Sequence, residues 1–427
     1  MKNNKGITLL ALIITIIVLV ILAGVALATL TGNTSIIDNA NNAVARYNAS
    51  ANEDKNVLNQ VEDLFSKYMG ENNDDDDDSP ALPKVDANGL ALEPYTVEAD
   101  VTNNVQIVIP AGFAPVILNG SNSTTSEPGE DGSVKAIMPV AQWGNITAAQ
   151  INSGIVVVDH AITYDNGQEI GTVPDFNEYV WVPIPSSTDF ARIAWTTRQG
   201  YTESGSWGDG GSTGRTHILE YTTSGDKTNK FWDDMAAIEY INMLNSVNLN
   251  KGFYVSRYEA SNNGNNVAQS KKSQFVWNSI PFPTAVTGSS SNPTKNTHLI
   301  YGIEWDSILK WLIGHATIPS VTVGQTKTME LSDIQDNSWS WGNYRDSTGD
   351  AAAGRNGIRT TGYSEYWKAN NIYDLAGNVW EWTQENYSTN KRTVRGGDYN
   401  YIGTHIPSAV RYAELESNVD SIERLPL

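Results

Sequence analysis

The chain has 427 residues, with 28 Lys and Arg against 48 Asp and Glu and a formal net charge of −20. That balance argues against a nucleic-acid partner, whose phosphates would be repelled, and against peripheral attachment to anionic lipid. Cysteine is absent, so neither disulfides nor thiolate chemistry operates here.

Lys2 and Lys5 precede Gly6, and a weakly polar to apolar run continues over residues 7–30. A bilayer-spanning helix needs about 20 apolar residues, so the run suffices. Its positive flank keeps that end cytoplasmic, which predicts a single-pass cell-membrane protein with an extracellular head. Lys5-Gly6-Ile7-Thr8-Leu9 resembles a type IV prepilin leader, cut between Gly6 and Ile7; a plain signal anchor is the alternative. Pilins carry Glu at the fifth mature position, where this chain has Ala11. A filament-tip subunit and a monomeric anchor both remain open.

Ile37, Ala40, Val44, Tyr47, Ala51, Leu58, Val61, Phe65 and Tyr68 step by threes and fours, broken only by Asp54. This predicts a helix with one apolar seam to residue 69, ended by Gly70. The seam fits a neighbouring pilin subunit, a second copy, or the chain's own head. Residues 70–93 form an acidic, proline-containing linker in which Asp74 to Asp78 repel one another and stay solvated. Calcium there is the weaker reading, because EF-type loops alternate their ligands and place a Gly at the turn.

Residues 94–427 make the head, large enough to bury most of its unfolded surface without disulfides. Residues 105–109, 114–118, 155–158 and 179–183 read as strands. Phe231, Met235, Ile238, Ile241 and Leu244 predict one helix face leading into a strand at Gly252, and a second helix spans about residues 305–313. Residues 195–226, 262–296 and 338–362 read as loops. Periodicity alone supports an α+β fold.

The run from Ile372 to Trp382, Ile-Tyr-Asp-Leu-Ala-Gly-Asn-Val-Trp-Glu-Trp, is the most informative stretch. As a strand it would put Trp380 and Trp382 on one face and turn Glu381 away from them; a core strand ending in a capped turn is the plain reading. With Arg395-Gly396-Gly397 and Arg411 downstream, the run resembles the signature of the formylglycine-generating-enzyme (sulfatase-modifying factor) family. Leu375 is the one departure within Tyr373 to Trp382. The segment from Gly252 to Ala260 and the pair Glu304-Trp305 resemble earlier family elements, so the likeness spreads over residues 104–427. It implies a C-type-lectin-like fold: two helices beside a short, twisted mixed sheet with abundant loops.

The family's namesake enzymes work through cysteine thiols, which this chain lacks. A second branch resembles non-haem iron enzymes, yet His160, His217, His298, His315 and His405 show no local ligand spacing. No Ser or Thr sits in a nucleophile motif. The expected activity is therefore binding, without copper, iron or nucleotide. The alternative is an exported non-thiol metalloenzyme of the same family.

The resemblance implies a calcium site at the turn, with the side chains of Asn378 and Glu381 and the carbonyls of Val379 and Thr383 as ligands. Alternatively, Asn378 caps a turn and Glu381 pairs with an Arg. The C-terminal segment supplies the expected ligand surface: Trp380, Asp398, Tyr399, Asn400, Tyr401, Thr404, His405, Arg411, Tyr412, Glu414, Glu416 and Asn418. Tyr offers rigid amphipathic contact, and Asn and Thr offer adaptable hydrogen bonds, as in antibody paratopes. This segment resembles the variable region of proteins diversified by retroelements, implying an extracellular protein or glycan as partner. An ordinary terminal segment of the fold is the alternative. The ending at residues 421–427 departs from the family's usual close, which predicts imperfect pairing of the last strand.

Overall fold

A computed structural model describes residues 82–119, 132–160, 164–165, 168–169, 176–193, 195, 234–291, 297–355, 357–388, 391–417 and 422–423. These belong to one compact unit, Pro80–Leu427. The leader at Gly6 and Ile7, the apolar run, the seamed helix and most of the acidic linker lie outside the described residues. Among the described residues no helix is long and apolar enough to cross a membrane.

Residues 82–93, expected to close the linker, lie against the head: the Ala91 N–H donates to the Phe113 carbonyl at 2.9 Å, and Ala91 is buried. Strands β1 (Tyr95–Asp100) and β2 (Val105–Ile109) pair as an antiparallel hairpin. Then come β3 (Ala114–Leu118), β4 (Val134–Ile137), the short helices α1 (Val140–Trp143) and α2 (Ala148–Asn152), β5 (Val156–Val158) and β6 (Glu178–Pro183). Helix α3 (Asp234–Asn250) leads into β7 (Gly252–Ser256). Strands β3 to β7 form an antiparallel sheet in the order β4-β3-β5-β6-β7, with Val156 opposite Val180 and Val180 opposite Val255.

Strands β5, β6 and β7 are buried at every position, and side-chain alternation explains why. Val156, Val158, Val180, Val182, Phe253 and Val255 enter the main core. Their alternates Val157, Tyr179, Trp181 and Tyr254 enter a second core with Val97, Ile107 and Ile109 of the β1–β2 hairpin. Successive residues of a strand face opposite sides, so a sheet covered on both sides has no polar face.

Helix α3 turns a different face inward from the one expected. Ala236, Met243 and Val247 are buried, with Tyr240 and Leu244 packed beside them, while Ile238 and Ile241 are 52% and 49% exposed. Positions 236, 240, 243 and 247 form one stripe at helical spacing, and Ile238 and Ile241 fall beside it. Phe231 lies outside the described residues, as does the Met235 side chain.

The stretch 262–296, expected as loop, contains helix α4 (Phe282–Ser290). Its hydroxyls bond carbonyls four residues back, Ser289 to Ala285 and Thr287 to Pro283, both at 2.8 Å. Such back-bonding lets a Ser- and Thr-rich sequence form a helix that propensity disfavours. Helix α5 (Gly302–Leu312) follows, then the short α6 (Leu331–Gln335). Strands β8 (Glu381–Ser388), β9 (Lys391–Arg395), β10 (Tyr412–Leu415) and β11 (Ile422–Glu423) form a second sheet, ordered β10-β9-β8-β11. Only β8 and β11 run parallel. The fold is α+β, with two principal sheets and several helices rather than one sheet and two helices.

Candidate functional site

The turn before β8 is built around Asn378, whose φ of 60° is left-handed. Asn tolerates that conformation through local side-chain bonds. Gly377, at φ 75°, lies where a Cβ would sit 2.2 Å from the Asn343 carbonyl, so no larger residue fits. Asn378 Oδ1 accepts from Asn343 Nδ2 at 3.0 Å and from the Arg359 N–H at 2.9 Å. Its Nδ2 donates to Glu259 Oε2 at 2.5 Å. Its main-chain N–H donates to Asn343 O, and its carbonyl accepts from Tyr399 N–H at 3.2 Å. One side chain thus ties together segments around residues 259, 343, 359 and 399.

Beneath β8 lies a buried charge network. Asp306 of α5 and Glu385 of β8 are fully buried beside Arg192, Arg395 and Arg411. Arg395 spans the two acids, reaching Asp306 Oδ1 at 3.0 Å and Glu385 Oε2 at 3.2 Å. Arg411 Nε reaches Glu385 Oε1 at 2.8 Å, and Arg192 bonds both acids. Trp195 Nε1 and the Ile193 N–H also donate to Asp306, at 2.9 and 3.0 Å. Burial pushes the Asp306 carboxyl up, but Arg411, Arg395 and Arg192 outweigh it and hold the group at about 2. Burial and Arg411 push Arg395 down to about 10.

Residues 398–405 and 337–348 meet in a ridge whose backbone is pinned at several points; Ser338, Trp341, Asn343, Tyr344 and Ser347 are buried in it, and Arg345 and Asn400 are exposed. Arg345 N–H donates to Tyr401 O at 2.9 Å, Ser338 N–H to Gly403 O at 3.3 Å, and Gly403 N–H to Asp346 Oδ1 at 2.8 Å. Asp398 Oδ1 accepts from Asn400 N–H at 2.6 Å, closing a turn, and burial raises the Asp398 pKa. Trp339 packs on Gly403, where a Cβ would meet its backbone at 2.7 Å. The side chains of Trp339, Arg345, Tyr399, Asn400 and Thr404 make no hydrogen bond or ion pair among the described residues. Nothing in the sequence pattern marked Trp339, Arg345 or Asp346, because they reach the ridge from a segment without periodicity.

The structure thus divides the expected ligand residues. Asp398, Tyr399, Tyr401, Thr404 and His405 are half-buried at the surface and Asn400 is exposed. Trp380 and Arg411 are instead buried: Trp380 stacks on Tyr412 at 5.3 Å, and Arg411 lies in the charge network. Glu416 pairs with Arg392 at 2.9 Å, and Glu414 accepts its neighbour's Leu415 N–H. Asn418 lies outside the described residues.

Of the groups expected around calcium, Asn378 Oδ1 faces two N–H donors; the Thr383 hydroxyl, which is not the expected ligand atom, donates to Thr393 O at 2.9 Å. Val379 packs on Val276. Glu381 is fully buried, like Trp382, whose indole donates to Ile280 O at 3.0 Å. Trp380 and Trp382 enter the same core, and Glu381 between them is buried as well, so the segment is covered on both faces. Of the histidines, His298 meets Glu304 at 3.0 Å, His160 lies 3.4 Å from Asp159, and His315 lies 2.8 Å from Trp311 O. Among the described residues no three His, Asp or Glu side chains are placed to hold a metal ion.

A loop-rich α+β head with a motif turn over a buried Arg–carboxylate network is the class this geometry defines. Within it, residues 323–423 match the family model described as a sulfatase-modifying factor enzyme 1-like domain. That span contains the turn, all four strands of the second sheet and the whole ridge. No curated protein matches the chain. Among solved structures, it is similar to PvdO from Pseudomonas aeruginosa, at 13% identity and TM-score 0.31, covering 61% of this chain and 98% of that one. It is also similar to Treponema denticola variable protein 1, at 14% identity and TM-score 0.21, covering 64% and 95%. Likenesses this loose carry no functional conclusion.

Proposed function

We propose that this chain is a surface-displayed binding protein, anchored by its N-terminal apolar run, whose ridge at residues 337–348 and 398–405 contacts a protein ligand. One observation carries the reading: the ridge backbone is held by main-chain bonds and Asp346, while among the described residues the side chains of Trp339, Arg345, Tyr399, Asn400 and Thr404 make no hydrogen bond or ion pair. A paratope needs this arrangement, because fixed backbone lowers the ordering cost of binding and free side chains supply the contacts. It also suits a position set that changes between copies, since the pinning main-chain bonds do not depend on those side chains. The absent thiols support a binding role over the family's thiol chemistry.

The test is to pan a random peptide display library on the full-length protein. Each recovered binder is then re-assayed on a Tyr399→Ala, Asn400→Ala, Thr404→Ala variant. Binders that lose at least tenfold affinity for the variant support the ridge. Binders indifferent to all three changes would overturn it.

A further inference from the structure

On that reading, we propose that the ridge recognises an acidic segment of its protein ligand, with Arg345 as the group that receives a carboxylate. Arg345 is exposed, and its side chain has no hydrogen bond or ion pair among the described residues, yet its main-chain N–H is fixed to Tyr401 O at 2.9 Å. The guanidinium therefore projects from a determined point of the ridge without an internal acid to satisfy it. A guanidinium in water is well hydrated, and it gains most from a planar oxyanion that takes two N–H bonds at once.

The neighbouring carboxylates hold the backbone rather than Arg345: Asp346 Oδ1 accepts from Gly403 N–H and Asp398 Oδ1 accepts from Asn400 N–H. The two nearby arginines turn inward, Arg355 to the Ser347 carbonyl and Arg359 to the Gly354 carbonyl and the Tyr363 ring, at 5.0 Å. Burial lowers the His405 pKa, Asp346 opposes the shift and Arg345 adds to it. Arg345 is tied through its main chain to Tyr401, and Tyr and Arg are among the residue types that dominate interface energetics.

The panning experiment tests this with one added variant, Arg345→Ala in the full-length protein, and Arg345→Lys as a control that keeps charge but loses the fork. Neither touches the main-chain bond to Tyr401, and thermal unfolding of each variant verifies the fold. The expected result is that ridge-dependent peptides are enriched in Asp and Glu. They should weaken at least tenfold on Arg345→Ala, less on Arg345→Lys, and lose affinity as salt rises. Ridge-dependent peptides that are neutral or basic, or acidic ones indifferent to Arg345→Ala, would overturn the inference while leaving the ridge intact. A library that yields only ridge-independent binders sinks the binding reading and this inference with it.

Discussion

Arg411 donates from one nitrogen, Nη2, to both carboxylate oxygens of Asp306, at 2.7 and 2.5 Å, across 105 positions of sequence. The pair joins helix α5 to the chain just before β10. Arg411 therefore works inside the head, as part of the buried charge network.

Removing one partner of a buried, hydrogen-bonded charge pair leaves the other uncompensated. Arg411→Ala is expected to cost about 3–5 kcal/mol of stability, read from urea unfolding of the full-length protein. Arg345→Ala, at the surface, should stay within about 0.5 kcal/mol of the parent.

The same network sets an acid limit. The Asp306 pKa is depressed from 3.8 to about 2, so its contribution is complete above pH 3.8 and is lost as pH falls through 2. Stability measured from pH 5 down to pH 2 should therefore decline with a component that Asp306→Asn removes.

His298 predicts a change of opposite sign. Burial opposes its protonation, but Glu304 outweighs burial and raises its pKa from 6.5 to about 8. A raised pKa stabilises fully below pH 6.5, and that stabilisation fades as pH climbs through 8. Unfolding free energy should fall between pH 6.5 and 8.5 in the parent and show a flatter profile in His298→Gln.

Asn378→Ala leaves the Arg359 N–H without its acceptor, while Asn343 Nδ2 keeps its bond to the Gly357 carbonyl. At about 1–3 kcal/mol for an unsatisfied buried group, the expected loss is at least about 1 kcal/mol. Since Asn378 Oδ1 already faces two donors, adding calcium to the parent should leave its unfolding midpoint unchanged. A calcium-dependent rise would show that the turn rearranges around the ion.

Much of this was legible in sequence, and the gaps have physical causes. The strands at 105–109 and 114–118 and the helix carrying Trp305 and Trp311 read correctly because apolar residues marked them against polar flanks. Helix α4 did not, since its inward side is made from Phe282, Ala285, Gly288 and Ser289, three of them too small to signal burial. Arg411 and Trp380 looked like surface recognition groups because Arg and Trp serve both cores and interfaces; only the positions of Asp306 and Tyr412 decide between those roles. Trp339 and Arg345 were invisible because the ridge joins two irregular segments through main-chain bonds, which no side-chain pattern encodes.

The most direct measurement is a calorimetric titration of a panned, ridge-dependent peptide into the full-length protein and into its Tyr399→Ala, Asn400→Ala, Thr404→Ala variant, with unfolding followed on both. The predicted result is binding lost by at least tenfold while the unfolding midpoint stays essentially where it was. Undiminished binding, or loss of binding that tracks a collapse in stability, would contradict a ridge whose fold and recognition are carried by different atoms.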